Sequence, residues 1–198
     1  MNVHAALATG GGILGMVAAI PYLVAIHRGT AKPNVVTWLT WTLLDFVALG
    51  AALDAHAWLT AIFALGSTLG PAAILIYGFI RGSRTYTAVD ALCQTVALVG
   101  IVLWKLTGSP DIAITAYLVA NEFAVLPTLR HAWLKPDEEA PVAFGIGATA
   151  SLITLFAQTQ ATYVGLAMPI ALLLNNTSVA AFIVIRRRLA SAQSPSPT

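Results

Sequence analysis

LPTLRHAWLKPDEEAP, residues 126–141, sets a proline behind an apolar run and then crowds six charged or titratable side chains, Arg130 to Glu139, into ten positions. IPYLVAIHRGTAKPNVVTW, residues 20–38, says nearly the same thing. Pro21-Tyr22-Leu23 answers Pro127-Thr128-Leu129, and Lys32-Pro33-Asn34 answers Lys135-Pro136-Asp137. The interval from Pro21 to Lys32 is eleven residues, that from Pro127 to Lys135 eight. An interfacial Lys-Pro turn explains either copy alone. It does not explain a pair at corresponding places, nor the similar endings IYGFIRG at 76–82 and AFIVIRR at 181–187.

Around these phrases the 198-residue chain is 58% hydrophobic and only 9% charged, with a mean hydropathy of +0.82. Globular domains carry about 25% charged residues, so this composition belongs in a bilayer. Apolar runs of the length that crosses a hydrocarbon core recur at roughly 5–27, 34–53, 57–80, 86–106, 111–132, 140–160 and 163–186. The first run has no Lys or Arg before it and no small-residue cleavage site behind a short apolar core, so it reads as a retained helix. Short connectors leave no room for a soluble domain, and only the tail 189–198, LASAQSPSPT, reads as disordered. The single Cys93 forms no intramolecular disulfide.

Nine of the ten Lys and Arg residues fall in one alternating set of connectors: Arg28 and Lys32, Arg81 and Arg84, Arg130 and Lys135, and Arg186 to Arg188. The other set holds only Lys105. The positive-inside rule makes the basic connectors cytoplasmic, with the N-terminus outside and the C-terminus inside, which seven spans require. Both copies of the phrase then lie on the same side. Two three-helix units joined directly would come out inverted, and one additional span between them restores the parallel sense. The expected fold is therefore an all-α, seven-helix inner-membrane protein: a first repeat at 1–83, a linker helix at 84–108, a second repeat at 109–188, and the tail.

In this layout the chain resembles the SWEET, SemiSWEET and PQ-loop transporter group. Pro21-Tyr22 and Pro127-Thr128 look like the family's proline and polar residue near the cytoplasmic end of each first helix, without its glutamine. Lys135 with APVAF at 140–144 looks like the connector and second-helix proline, and Trp38 stands where the first repeat would place the counterpart of Pro141. Asn175 and Asn176 resemble the asparagine of the family's pocket, whose counterpart in the third helix falls near Gly70 or Pro71. The resemblance implies alternating access by rocking of the two units and a small polar cargo, sugar first.

Prolines weaken a helix by removing a hydrogen bond, so Pro21, Pro127 and Pro141 are hinge candidates, with tolerated kinks in a static bundle as the alternative. Asp45 lies about eleven residues into the second run and Glu122 about as far into the fifth, near mid-depth. Each costs about 2.5–3.5 kcal/mol there, so each should face a cavity or a partner, and no Lys or Arg lies at that depth. Both are candidates for proton coupling or for substrate binding, through hydroxyl groups or a cation, or else protonated packing contacts between helices. Asn121 and the Asn175-Asn176 pair add amides near the same depth. Adjacent helical residues point about 100° apart, so one of each pair is expected to face a given cavity.

Of the five tryptophans, most sit at run ends where an aromatic belt is expected. Trp41 is the deepest and a substrate-stacking candidate, and Tyr22 with Trp38 is a candidate cytoplasmic gate. Asp90, Cys93 and Gln94 read as interfacial or packing residues of the linker helix. In the charge knot, Asp137 to Glu139 suit a helix start and Arg130, His131 and Lys135 a helix end. Opposed signs there also suit a latch.

The last run holds no lysine for a retinal Schiff base. No serine–histidine or aspartate-pair protease signature, metal-ligand spacing, phosphate loop or nucleic-acid motif appears, so no enzyme, metal or cofactor is expected. The partners expected are the bilayer and a small polar solute, with homo-oligomerisation left open. The competing expectation is a non-transporting scaffold or cargo receptor of the same layout.

Overall fold

A computed structural model describes residues 2–193, and the side chains of all of these except Pro127, His131, Ala192 and Gln193. Asn2 opens α1 (Val3–Val17), its Oδ1 accepting from the Ala5 amide at 2.8 Å. The helix breaks at Ala18 and resumes as α2 (Ala19–His27). Pro21 has no N–H for the Val17 carbonyl four residues back, which places the break where it is. Asn34 caps α3 (Val35–Asp54) by accepting from the Val36 amide at 3.0 Å. Next come α4 (Trp58–Arg81), with Pro71 inside it, and α5 (Ala88–Thr107).

Thr87 and Asp90 form a capping box at the start of α5, and Gly108, at φ +66°, ends it. α6 runs Pro110–Leu134, and a 3-10 turn at Pro136–Glu138 leads to α7 (Pro141–Ala157) and α8 (Tyr163–Gln193). α1 with α2 and each of α3, α4, α5, α6 and α8 are long and apolar enough to span a bilayer, which makes six such spans. The seventh apolar helix, α7, has 17 residues and is shorter than the expected run 140–160, because α7 starts at Pro141 and stops before Gln158. The chain is a multi-pass membrane protein.

The tail differs from its expectation. Residues 189–193 continue α8 instead of leaving it, since Leu, Ala and Gln are good helix formers and the first proline beyond Arg188 is Pro195. Residues 194–198 lie outside the described part.

α4 lies between α1 and α3, and α8 between α6 and α7. α1 packs on α7 and α3 on α6, while α5 lies against α6 and α3. Close approach depends on small residues. A Cβ on Gly66 of α4 would run into the Gly12 carbonyl of α1, and one on Gly12 would stand 2.7 Å from the Ile62 carbonyl oxygen. Gly11 meets Thr154 and Ala150 of α7 in the same way. In a bilayer, where lipid is as apolar as leucine, such backbone contact is a main source of helix association.

Buried Leu44, Phe63, Ile114, Tyr117 and Met168 fill the centre of the bundle. Large apolar side chains such as Phe46, Ile76, Leu98 and Phe156 point outward, as a lipid-facing surface requires. Pro169 of α8 leaves the Gly165 carbonyl without its helical donor, and the Thr60 hydroxyl of α4 donates to it at 2.7 Å.

Candidate functional site

Trp38, Trp41 and Asp45 are spaced three and four residues apart on α3, so they share one face of that helix. That face borders a cavity of about 130 Å³ walled by α1 to α4 and α6 to α8. Asp45 lies halfway along α3 and is only 6% exposed. No Lys or Arg lines the cavity, and Asp45 is its one acidic residue. Among the described residues its carboxylate makes no hydrogen bond or ion pair.

Asn121 of α6 and both Asn175 and Asn176 of α8 reach the same cavity, together with Ser67, Gly70 and Pro71 of α4. The expectation of one residue per pair therefore fails for the last helix, because the cavity wraps far enough round α8 to take two neighbouring side chains. Asn176 Nδ2 donates to the Leu172 carbonyl at 2.8 Å, and its Oδ1 lies where a Cβ on Gly147 would come within 2.9 Å. Asn121 Nδ2 and the hydroxyl of Tyr117, one turn earlier on α6, are buried without hydrogen-bond partners among the described residues. Tyr117 lies within electrostatic reach of both Asp45 and Glu122.

Glu122 is not part of this site. The roughly 100° step along α6 that turns Asn121 inward carries Glu122 to the exposed surface of the bundle. Pro141 is not an internal helix breaker either. It stands at the first position of α7, where its missing N–H removes no helical bond. Pro127 leaves α6 continuous, and its side chain is outside the described set. Pro21 alone of the three coincides with a break in the helix.

Toward the end that carries the basic connectors, the cavity ends at an aromatic cluster. The Tyr22 and Trp38 rings are 5.0 Å apart and inclined at 59°, and Trp38 and Trp41 meet edge to face at 5.0 Å. These three residues and Phe144 also line a wider cavity of about 480 Å³, which Lys32, Arg130, Thr128 and Glu139 border. The rings thus stand as a partition between the two spaces. Toward the opposite end the lining stops at Gly15 and Ser67, and close by, Gly12 meets Gly66 and Gly11 meets Thr154.

The charge knot forms a clasp at the basic end. Arg187 of α8 donates to the Pro136 carbonyl at 3.0 Å and to the Glu139 carbonyl at 2.6 Å, and lies 3.5 Å from Asp137. Lys135 pairs with Glu138 at 2.9 Å. Arg186 lies 3.9 Å over the Trp133 ring. Burial first, and then the Glu138 charge, push the Glu139 carboxyl up to about 8, with Arg187 opposing them.

Reading the sequence alone misses Tyr117, Phe144 and the glycine contacts. The motif Gly66-Ser-Thr-Leu-Gly70, small residues four apart in an apolar run, is the signal that marks the last of these. Comparison with known proteins adds no relative: no family model matches the sequence, and no curated protein or solved structure is significantly similar to it.

Proposed function

We propose that the chain is a transporter that moves a small polar solute across the membrane by alternating access. The observation that carries this reading is a mainly apolar cavity halfway along the spans that an aspartate and three asparagines reach, walled by helices of both halves and bounded by an aromatic partition at one end and glycine contacts at the other. Polar side chains are expensive at that depth unless they serve a cavity or one another. Asp45, Asn121, Asn175 and Asn176 all reach the cavity.

The arrangement of helices supports a parallel repeat. In each half the third helix sits between the first and second, and across the halves first meets second twice, as α1 with α7 and α3 with α6. An axis along the membrane normal relates such units. Rocking about that axis would part the Gly12–Gly66 contact in one direction and the aromatic cluster in the other. With the basic connectors cytoplasmic, the aromatic partition lies on the cytoplasmic side of the cavity and the glycine contacts on the outer side. Sugar is the first cargo by the resemblance, with proton coupling through Asp45.

Uptake of labelled sugars into proteoliposomes, with and without an imposed pH gradient, tests this. Saturable uptake is expected in the native chain and in Glu122→Gln, and its loss in Asp45→Asn. No saturable uptake of any small polar solute would replace transport by the scaffold reading.

A further inference from the structure

We propose that Asp45, backed by Tyr117 and Asn121, is a subsite for a positively charged nitrogen, and that the cargo is a small organic cation of the amino-alcohol type. This rests on the transport reading and narrows its substrate class. The cavity has one carboxylate and no basic residue, so an ionised Asp45 leaves it a net negative charge that nothing in the wall compensates. An isolated buried carboxylate is costly, and either a proton or a cationic occupant offsets its charge, so a cation that enters replaces the proton.

The surroundings select the form of that charge. Trp41, Trp38 and Tyr22 line the same cavity as Asp45 in order toward the basic end, and a carboxylate and aromatic rings in one cavity suit ammonium and quaternary ammonium groups. On α6, Asn121 lines the cavity, and Tyr117 lies behind its wall within electrostatic reach of Asp45; the Tyr117 hydroxyl and Asn121 Nδ2 are buried without hydrogen-bond partners among the described residues. As hydrogen-bond donors they suit an ionised carboxylate more than a protonated one. Asn175, Asn176 and Ser67 supply donors and acceptors for one hydroxyl or carbonyl at the other end of the molecule.

A pyranose fits this wall less well. Much of the remaining lining is Ala, Ile, Val and Leu, for example Ala18, Ile74, Val125 and Leu172, which would leave several sugar hydroxyls unpaired. Unpaired buried hydroxyls strongly penalise binding. About 130 Å³ suits a compact head group better than an extended chain.

The test is titration of tryptophan fluorescence in the full chain in lipid nanodiscs with choline and ethanolamine, each set against its uncharged isostere, tert-butyl ethanol and propanol. Sodium and potassium chloride and glucose complete the panel. A charged member should bind saturably and its isostere should not. Asp45→Asn should weaken that binding about tenfold or more, and Tyr117→Phe should weaken it by a smaller factor. Equal binding of isostere and cation, no binding of either cation, or an Asp45-dependent response to sodium or potassium alone would each overturn the proposal.

Proteoliposome uptake separates this inference from the one beneath it. Choline or ethanolamine that binds through Asp45 but is never taken up would keep the subsite and remove the transporter. Glucose uptake that Asp45→Asn leaves intact would keep the transporter and remove the cation subsite. Circular dichroism of Asp45→Asn and Tyr117→Phe, expected to match the native chain, keeps a folding defect from passing as a binding defect.

Discussion

Tyr22 of α2 and Trp38 of α3 hold their rings 5.0 Å apart on the boundary between the mid-span cavity and the wider cavity at the basic end. The contact joins α2 and α3, whereas the glycine contacts at the far end join α1 with α4 and α7. Removing a ring should open the boundary. A cysteine at Ser67, which lines the inner cavity, should react several-fold faster with a membrane-impermeant thiol reagent from the basic side when Trp38 is replaced by leucine. Native Cys93 is buried and gives a low background. An unchanged rate would show that the rings do not close this path.

Thr60 donates to the Gly165 carbonyl that Pro169 has left without a helical partner. Thr60→Val should lower stability by about 0.6–1.7 kcal/mol, the range of single hydrogen bonds between membrane helices. Pro169→Ala in that background should recover part of the loss, because the new amide at 169 can take the Gly165 carbonyl itself. Unfolding in mixed micelles measures both. Simple additivity of the two substitutions would separate the threonine from the proline.

Much of the fold could be read from the sequence because bilayer length and loop charge leave few arrangements. The helix bounds follow the apolar runs to within a few residues, except at α7, which Pro141 and Gln158 shorten, and at α8, which runs on to Gln193. Depth was legible too, since Asp45 does lie halfway along its helix. Direction was not. Asn121 and Glu122 are adjacent and equally deep, yet one lines the cavity and the other is exposed, because facing depends on helix rotation, which packing between distant segments fixes. The partnerless Tyr117 hydroxyl carried no sequence signal for the same reason: a tyrosine among alanines and valines reads as core until its neighbours are known.

Gly66 touches the Gly12 carbonyl, and Gly10, two residues earlier on α1, has nothing within 4 Å of where its Cβ would stand. Gly66→Ala should therefore cost about 1–3 kcal/mol, the usual range for overpacking. Gly10→Ala should be neutral or slightly stabilising through helix propensity. If the proposed rocking parts the α1–α4 contact, Gly66→Ala should also speed modification of the Ser67 cysteine from the face opposite the basic one. A stability loss without that change in access would make the glycine seal purely structural.

Glu139 sits in the clasp between the 3-10 turn and α7, 8% exposed, with its carboxyl raised from an ordinary 4.5 to about 8. Its proton is bound more tightly in the folded chain than in the unfolded one. Between pH 4.5 and about 8 the folded state holds that proton and the unfolded state has lost it, so stability falls as pH rises through this window and levels off above it. Glu139→Gln should flatten that slope and make the chain more stable than native above pH 8, by on the order of a few kcal/mol. Arg187→Ala should act in the opposite sense on the native background, because it removes a charge that opposes the rise and two hydrogen bonds to the clasp. Chemical unfolding in detergent at a series of pH values reads both. A Glu139→Gln curve parallel to the native one would show that this carboxyl is solvated in the folded protein.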